Sequence, residues 1–188
     1  SMLLDNYLTK YSKDKLHPLI SEKNTKIKIG FLSSDIYSYH SITFFLKSIL
    51  KNYDKKKYEV HLYLNNRIED EGTQYFKKLV DFSVNISEFN DLEAINMIRK
   101  NNLDVAIDLM GVTSVYNRIS LFKNRLARTQ VSWLGYCNTT GLKEMDYLIA
   151  DPNLIYPEEK NFYSEKVIYL PEIWNTHSGF DFKRIKHH

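Results

Sequence analysis

Apolar positions along the chain switch repeatedly between a period near two and a period near four. Residues 26–33 (KIKIGFLS) combine β-branched and aromatic side chains with partial alternation, the pattern of a strand. From Ile42 onward, Phe45, Leu46, Ile49, Leu50 and Tyr53 recur at helical spacing. Residues 58–64 alternate as a strand does. Residues 70–80 predict a helix with Tyr75, Phe76 and Leu79 on one face. A short strand at 82–86 and a helix at 91–99, burying Leu92, Ile95 and Ile98, follow. Residues 103–109 (LDVAIDL) form a mostly apolar run with acids near its ends, as in a buried parallel strand. The spacing of Val115, Ile119 and Phe122 predicts a helix over 114–126. Residues 129–134, 146–149 and 167–170 read as three further strands, the last stopped by Pro171.

Strands alternating with helices imply crossovers, hence an α/β fold with a Rossmann-like, mainly parallel sheet and helices on both faces. In such sheets ligands sit beyond the carboxyl ends of the strands. The candidate segments are therefore Ser33-Ser34-Asp35, Asn65-Asn66, Met110-Gly111 and the stretch from Gly135 to Gly141. Residues 1–25 read as a polar segment with a short helix near 3–11, and 26–182 as one lobe. Residues 183–188 read as a tail whose closing histidines, like Ser1 before Met2, look like remnants of engineering rather than biology.

Composition narrows the chemistry. Lys and Arg number 26 against 23 Asp and Glu, and the basic residues are scattered, which argues against a dedicated nucleic-acid surface. No apolar run approaches the roughly 20 residues that span a bilayer, so a soluble, cytoplasmic protein without a membrane partner is expected. The single cysteine, Cys137, excludes an internal disulfide framework. The internal histidines His17, His40, His61 and His177 lie far apart, a spacing that supports no metal site. His61, inside an alternating strand, is read as structural.

Three clusters carry candidate chemistry. Asp35 after the first strand and His40 before the next helix can act as acid–base groups or bind a hydroxyl; equally, Asp35 or Ser38 can cap that helix. Asp108, ahead of Gly111, marks a strand end where backbone can approach a ligand, or a plain turn with Thr113 as a cap. The glycine-flanked run Gly135 to Gly141 offers backbone N–H groups to a sugar or phosphate, or is an ordinary loop. Trp133 is read as core, and Cys137 as an inert thiol.

Taken in order, the motifs resemble a known family. They are Ile29 to Asp35 with His40-Ser41-Ile42; LDVAIDLMGVT at 103–113 with Asn117-Arg118; QVSWLGY at 130–136; Thr139-Thr140-Gly141; Met145-Asp146-Tyr147; and YSEKVIYLP at 163–171. This set is similar to the catalytic region of protein O-GlcNAc transferases and the SPINDLY-like enzymes, over about residues 26–171. The resemblance implies the first lobe of a two-lobed GT-B glycosyltransferase. It also implies transfer of a sugar, with inversion, from a nucleoside diphosphate sugar such as UDP-GlcNAc to Ser or Thr of a protein acceptor, with no cofactor. By position, Asp35 and His40 match the family's catalytic motif. Leu134, Gly135 and Cys137 match positions lining its sugar pocket, and Thr139 and Thr140 are added as substrate-binding candidates.

The second lobe, which carries most diphosphate contacts in that family, has no counterpart in the motifs, so the chain alone is expected to be inactive. An apolar docking face at Tyr136, Phe162, Tyr163 and Trp174, with possible self-association, is the further expectation. The competing class is a non-catalytic α/β binding module. It is motivated by the missing half and by departures: Cys137 where proline is frequent, Val112 where histidine or tyrosine is frequent, and Arg125 to Arg128 (RLAR) in place of RPAP.

Overall fold

The computed structural model describes residue 19 and residues 24–179. The helix expected near 3–11 and the tail at 183–188 lie outside the described residues. Seven strands form one all-parallel sheet: β1 (Ile27–Ser33), β2 (Tyr58–Leu64), β3 (Phe82–Asn85), β4 (Val105–Asp108), β5 (Thr129–Ser132), β6 (Tyr147–Ala150) and β7 (Lys166–Tyr169). Their spatial order is β3-β2-β1-β4-β5-β6-β7. The fold is thus α/β and Rossmann-like.

Alternate residues of the central strands feed two cores. Phe31, Leu62 and Ile107 point to one face, and Leu32, Tyr63 and Ala106 to the other. The helix α1 (Ser41–Asn52) buries Ile42, Leu46 and Leu50 on the first face, beside Phe76 of α2 (Glu71–Lys77). The helix α3 (Asp91–Lys100) buries Ala94, Ile95 and Ile98 on the second. Helix starts are set by side chains. Asp70 caps α2 and Asn90 caps α3, each in a reciprocal capping box, with Thr73 and Glu93 respectively. Thr73 Nα donates to Asp70, and this bond above all holds the Asp70 carboxyl at about 2, below its ordinary range.

The expected helix over 114–126 is not formed. Only a 3₁₀ segment, Ile119–Asn124, follows β4, and Val115 is 89% exposed rather than buried. The cause is local competition. The Asn117 backbone amide and side-chain amide both donate to the Ser114 carbonyl, the acceptor that an α-helical turn would offer to the Arg118 amide. Crossovers from β5 to β6 and from β6 to β7 also lack α-helices; a 3₁₀ turn, Lys160–Phe162, is their only helical piece. His61 is buried and bonded to Glu59 and Tyr63, a structural role as expected. No helix among the described residues is long and apolar enough to cross a membrane.

After β7 the chain crosses back over the first core. Trp174 accepts at its carbonyl from the Trp133 indole, and the Ser178 amide donates to the Phe44 carbonyl of α1. Trp133 is therefore core. The expected apolar docking face is dispersed: Trp174 packs on the first core, Tyr163 on a small cluster around Leu148 and Ile155, and Phe162 is largely exposed. Exposed apolar side chains instead include Tyr37, Tyr39, Ile68, Val112, Val115 and Tyr116, in the loops after β1, β2 and β4.

Candidate functional site

The strand order reverses between β1 and β4: the chain runs outward from β1 through β2 to β3, then returns to β4 on the other side. The loops after these two strands diverge and leave a crevice at their carboxyl ends. A hollow of about 280 Å³ lies there, lined by Asp35, His40, Ser41, Ile42, Thr113, Ser114, Leu134 and Gly135.

Asp35 is held by hydroxyls from both loops. Its Oδ1 accepts from Ser34 at 3.1 Å and from Ser114 at 3.3 Å, and those two hydroxyls lie 2.7 Å apart. Its own amide donates to Ser33 Oγ at 3.0 Å. The Ser34 amide donates to Met110 Sδ at 2.9 Å, a second tie between the loops. A carboxylate fixed through one oxygen keeps the other available to a ligand.

His40 is the N-cap of α1. Its Nδ1 accepts from the Ile42 amide at 3.3 Å, so helix geometry fixes the ring. An imidazole nitrogen that accepts carries no proton; the neutral ring therefore bears its hydrogen on Nε2. His40 thus presents an N–H donor, and a base at Nε2 would require the other tautomer. The preceding Tyr39 sits at φ 64, a left-handed conformation that costs energy for a non-glycine residue and re-aims the chain into the cap. Sequence reasoning offered Asp35 or Ser38 as the alternative cap; the structure gives the cap to His40.

The floor is built by close backbone approach. Leu134 has φ 77, and the Gly135 amide donates to the Trp133 carbonyl at 3.0 Å, closing a strained γ-turn. A Cβ on Gly135 would fall 1.9 Å from the Leu109 carbonyl oxygen, so only glycine fits. Thr113 Oγ1 donates to the Met110 carbonyl at 2.7 Å and contacts the Gly135 carbonyl at 3.2 Å, joining the two loops. Beneath them Asp108 is fully buried and accepts from the amides of Met110 and Gly111 at 3.2 and 2.7 Å. Burial, with a smaller contribution from the Asp35 charge, pushes its carboxyl up to about 6.

Four of the seven residues singled out from sequence, Asp35, His40, Leu134 and Gly135, share this hollow. Cys137, Thr139 and Thr140 are not among its lining. Cys137 is exposed. Thr139 and Thr140 turn to the buried Glu165, which accepts from Thr139 Oγ1 and the Thr140 amide, each at 2.7 Å, and from the Thr140 hydroxyl. Burial raises the Glu165 carboxyl, but these bonds outweigh it and hold the group below its usual value. Ser114 and Glu165 escaped sequence reasoning. The helical spacing of 114–126 hid the first, and a glutamate next to a surface strand gives no sign of burial.

Comparison with known proteins follows this geometry. The profile of Glycosyl transferase family 41 matches residues 5–187. The chain is 30% identical over 168 residues to the probable UDP-N-acetylglucosamine–peptide N-acetylglucosaminyltransferase SPINDLY of Arabidopsis thaliana, covering 84% of this chain and 18% of that protein. It is 29% identical over 154 residues to the UDP-N-acetylglucosamine–peptide N-acetylglucosaminyltransferase of Caenorhabditis elegans, covering 80% and 13%. Among solved structures, a mutant O-GlcNAc transferase of Thermobaculum terrenum superposes with a TM-score of 0.77 at 25% identity, covering 93% of this chain and 34% of the other. The chain therefore spans about a fifth or less of these curated relatives and about a third of the solved one. The ordered motifs, the parallel sheet and a profile running through nearly every residue agree: the chain belongs to Glycosyl transferase family 41.

Proposed function

We propose that this chain is the acceptor-side lobe of a glycosyltransferase that moves N-acetylglucosamine from UDP-GlcNAc to a Ser or Thr hydroxyl of a protein. The observation that carries the reading is the hollow at the β1/β4 switch point, where Asp35 and His40 meet Gly135 in a family 41 chain. Asp35 accepts a hydrogen bond from a hydroxyl, while the His40 Nε2–H donates to an oxygen of sugar or phosphate. Both serve positioning, which is what a direct displacement at the anomeric carbon needs from this side. The Gly135 backbone forms a wall against which a sugar ring can lie.

The lining includes no lysine or arginine, so the departing diphosphate must find its counter-charge elsewhere. The chain alone is accordingly expected not to turn over UDP-GlcNAc. Incubating the purified chain with radiolabelled UDP-GlcNAc and a serine-rich acceptor should yield no labelled acceptor. Supplying a polypeptide with the family's second lobe should restore labelling, and Asp35→Asn should then reduce it by about 10-fold or more. Unaltered labelling by Asp35→Asn and His40→Ala together would favour the competing reading, a binding module in which the hollow takes no part in transfer. That the hollow's own lining holds no lysine or arginine is the observation on that side.

A further inference from the structure

A second concavity of about 570 Å³ adjoins the hollow and shares Asp35 with it. Its walls include Tyr37, Ile68 and Tyr116, all substantially exposed, together with Arg67 and Asp70. The Arg67 guanidinium carbon lies 4.3 Å from the centre of the Tyr116 ring. That stacking holds a planar, permanently charged donor in place. No ion pair forms on Arg67 among the described residues, although two carboxylates line the same groove.

The groove is rigidly built. Asn65 donates to the Tyr116 carbonyl at 2.7 Å, and the buried Asn66 donates to the Ile36 carbonyl at 2.8 Å. These neighbours of Arg67 thereby pin its loop to the loops after β4 and β1. The Ser38 amide donates to Asp70 at 2.8 Å, closing the far side. A side chain prepared in this way forfeits little entropy when it binds.

We propose that this groove seats the acceptor polypeptide beside its target hydroxyl and that Arg67 pairs with an acidic side chain of that polypeptide. The proposal rests on reading the adjoining hollow as the place where the acceptor hydroxyl is held. Tyrosines, an isoleucine and an arginine make the amphipathic surface that peptides engage. The donor diphosphate is the poorer occupant. Asp35 and Asp70 repel a multiply charged anion, and one arginine cannot offset it, whereas peptide N–H and O–H groups can donate to both carboxylates.

The test uses the full chain and synthetic nonapeptides centred on serine, with one glutamate scanned through every other position and glutamine controls, measured by fluorescence anisotropy. At one or two positions glutamate should tighten binding about 5-fold over glutamine, the size of a partly exposed ion pair. Arg67→Gln should abolish that preference and Arg67→Glu should reverse it toward lysine peptides, with thermal unfolding of both variants unchanged. Peptides that bind equally well with glutamate and glutamine overturn the proposal and leave the acceptor-lobe reading standing. Absence of binding by every peptide overturns both. A preference that survives Arg67→Gln, or UDP binding that weakens on Arg67→Gln, also overturns it.

Discussion

His40 shows how much one hydrogen bond decides. Because its Nδ1 accepts from the Ile42 amide, the neutral ring is held as the Nε2–H form. Nitrogen-15 spectra of the imidazole should show a protonated Nε2 and a bare Nδ1 in the neutral ring; the opposite pattern would refute the donor role. Substitution separates cap from chemistry. His40→Ala should cost about 1 kcal/mol of stability, and His40→Asn, itself a good cap, should restore most of it while leaving the hollow without its imidazole donor. Asp108 makes a pH-dependent statement. Its folded-state value of about 6 exceeds the ordinary one of 3.8, so the folded protein binds this proton more tightly than the unfolded chain. Its contribution to stability therefore falls as pH rises from about 4 to about 6. Urea titrations of the wild type and Asp108→Asn across that window should show the wild type losing ground steadily; parallel curves would contradict the assignment.

At the level of elements, legibility followed the hydrophobic period. Helices α1 and α3 were visible because their buried positions recur every three to four residues, β1 and β2 because their side chains partly alternate in sequence, and β4 because it is a short apolar run, as befits central strands buried on both faces. Periodicity failed at 114–126, where Ser114 and Asn117 spend their polar groups on the neighbouring loop and on the local backbone. It was equally silent on the loop at 138–141, where spacing cannot reveal that Thr139 and Thr140 serve an acid 26 and 25 residues away. That clasp can be measured. Glu165→Gln keeps the shape but replaces a charged acceptor by a neutral amide, one of whose faces donates. A loss of about 1–3 kcal/mol in chemical denaturation is expected, with faster hydrogen exchange at the Thr140 amide. An unchanged exchange rate would show that the loop is held by other means.

For the molecule as a whole, the site was legible as a location before it was legible as chemistry. A parallel sheet fixes where ligands go, and the order of the strands fixes which two loops part; Asp35, His40 and Gly135 converge for that reason. The sequence could not disclose that Arg67 stands on Tyr116, because 49 positions separate them and only the adjacency of the β2 and β4 loops brings them together.

The lodging of Gly135 against the Leu109 carbonyl also bears on descent. Two loops that touch without a methyl group's clearance cannot lengthen independently, so inherited variation around the hollow should run through side-chain exchange at Thr113 and Ser114. Insertions and deletions among descendants of this sequence should gather elsewhere, as in the largely exposed stretch 156–162.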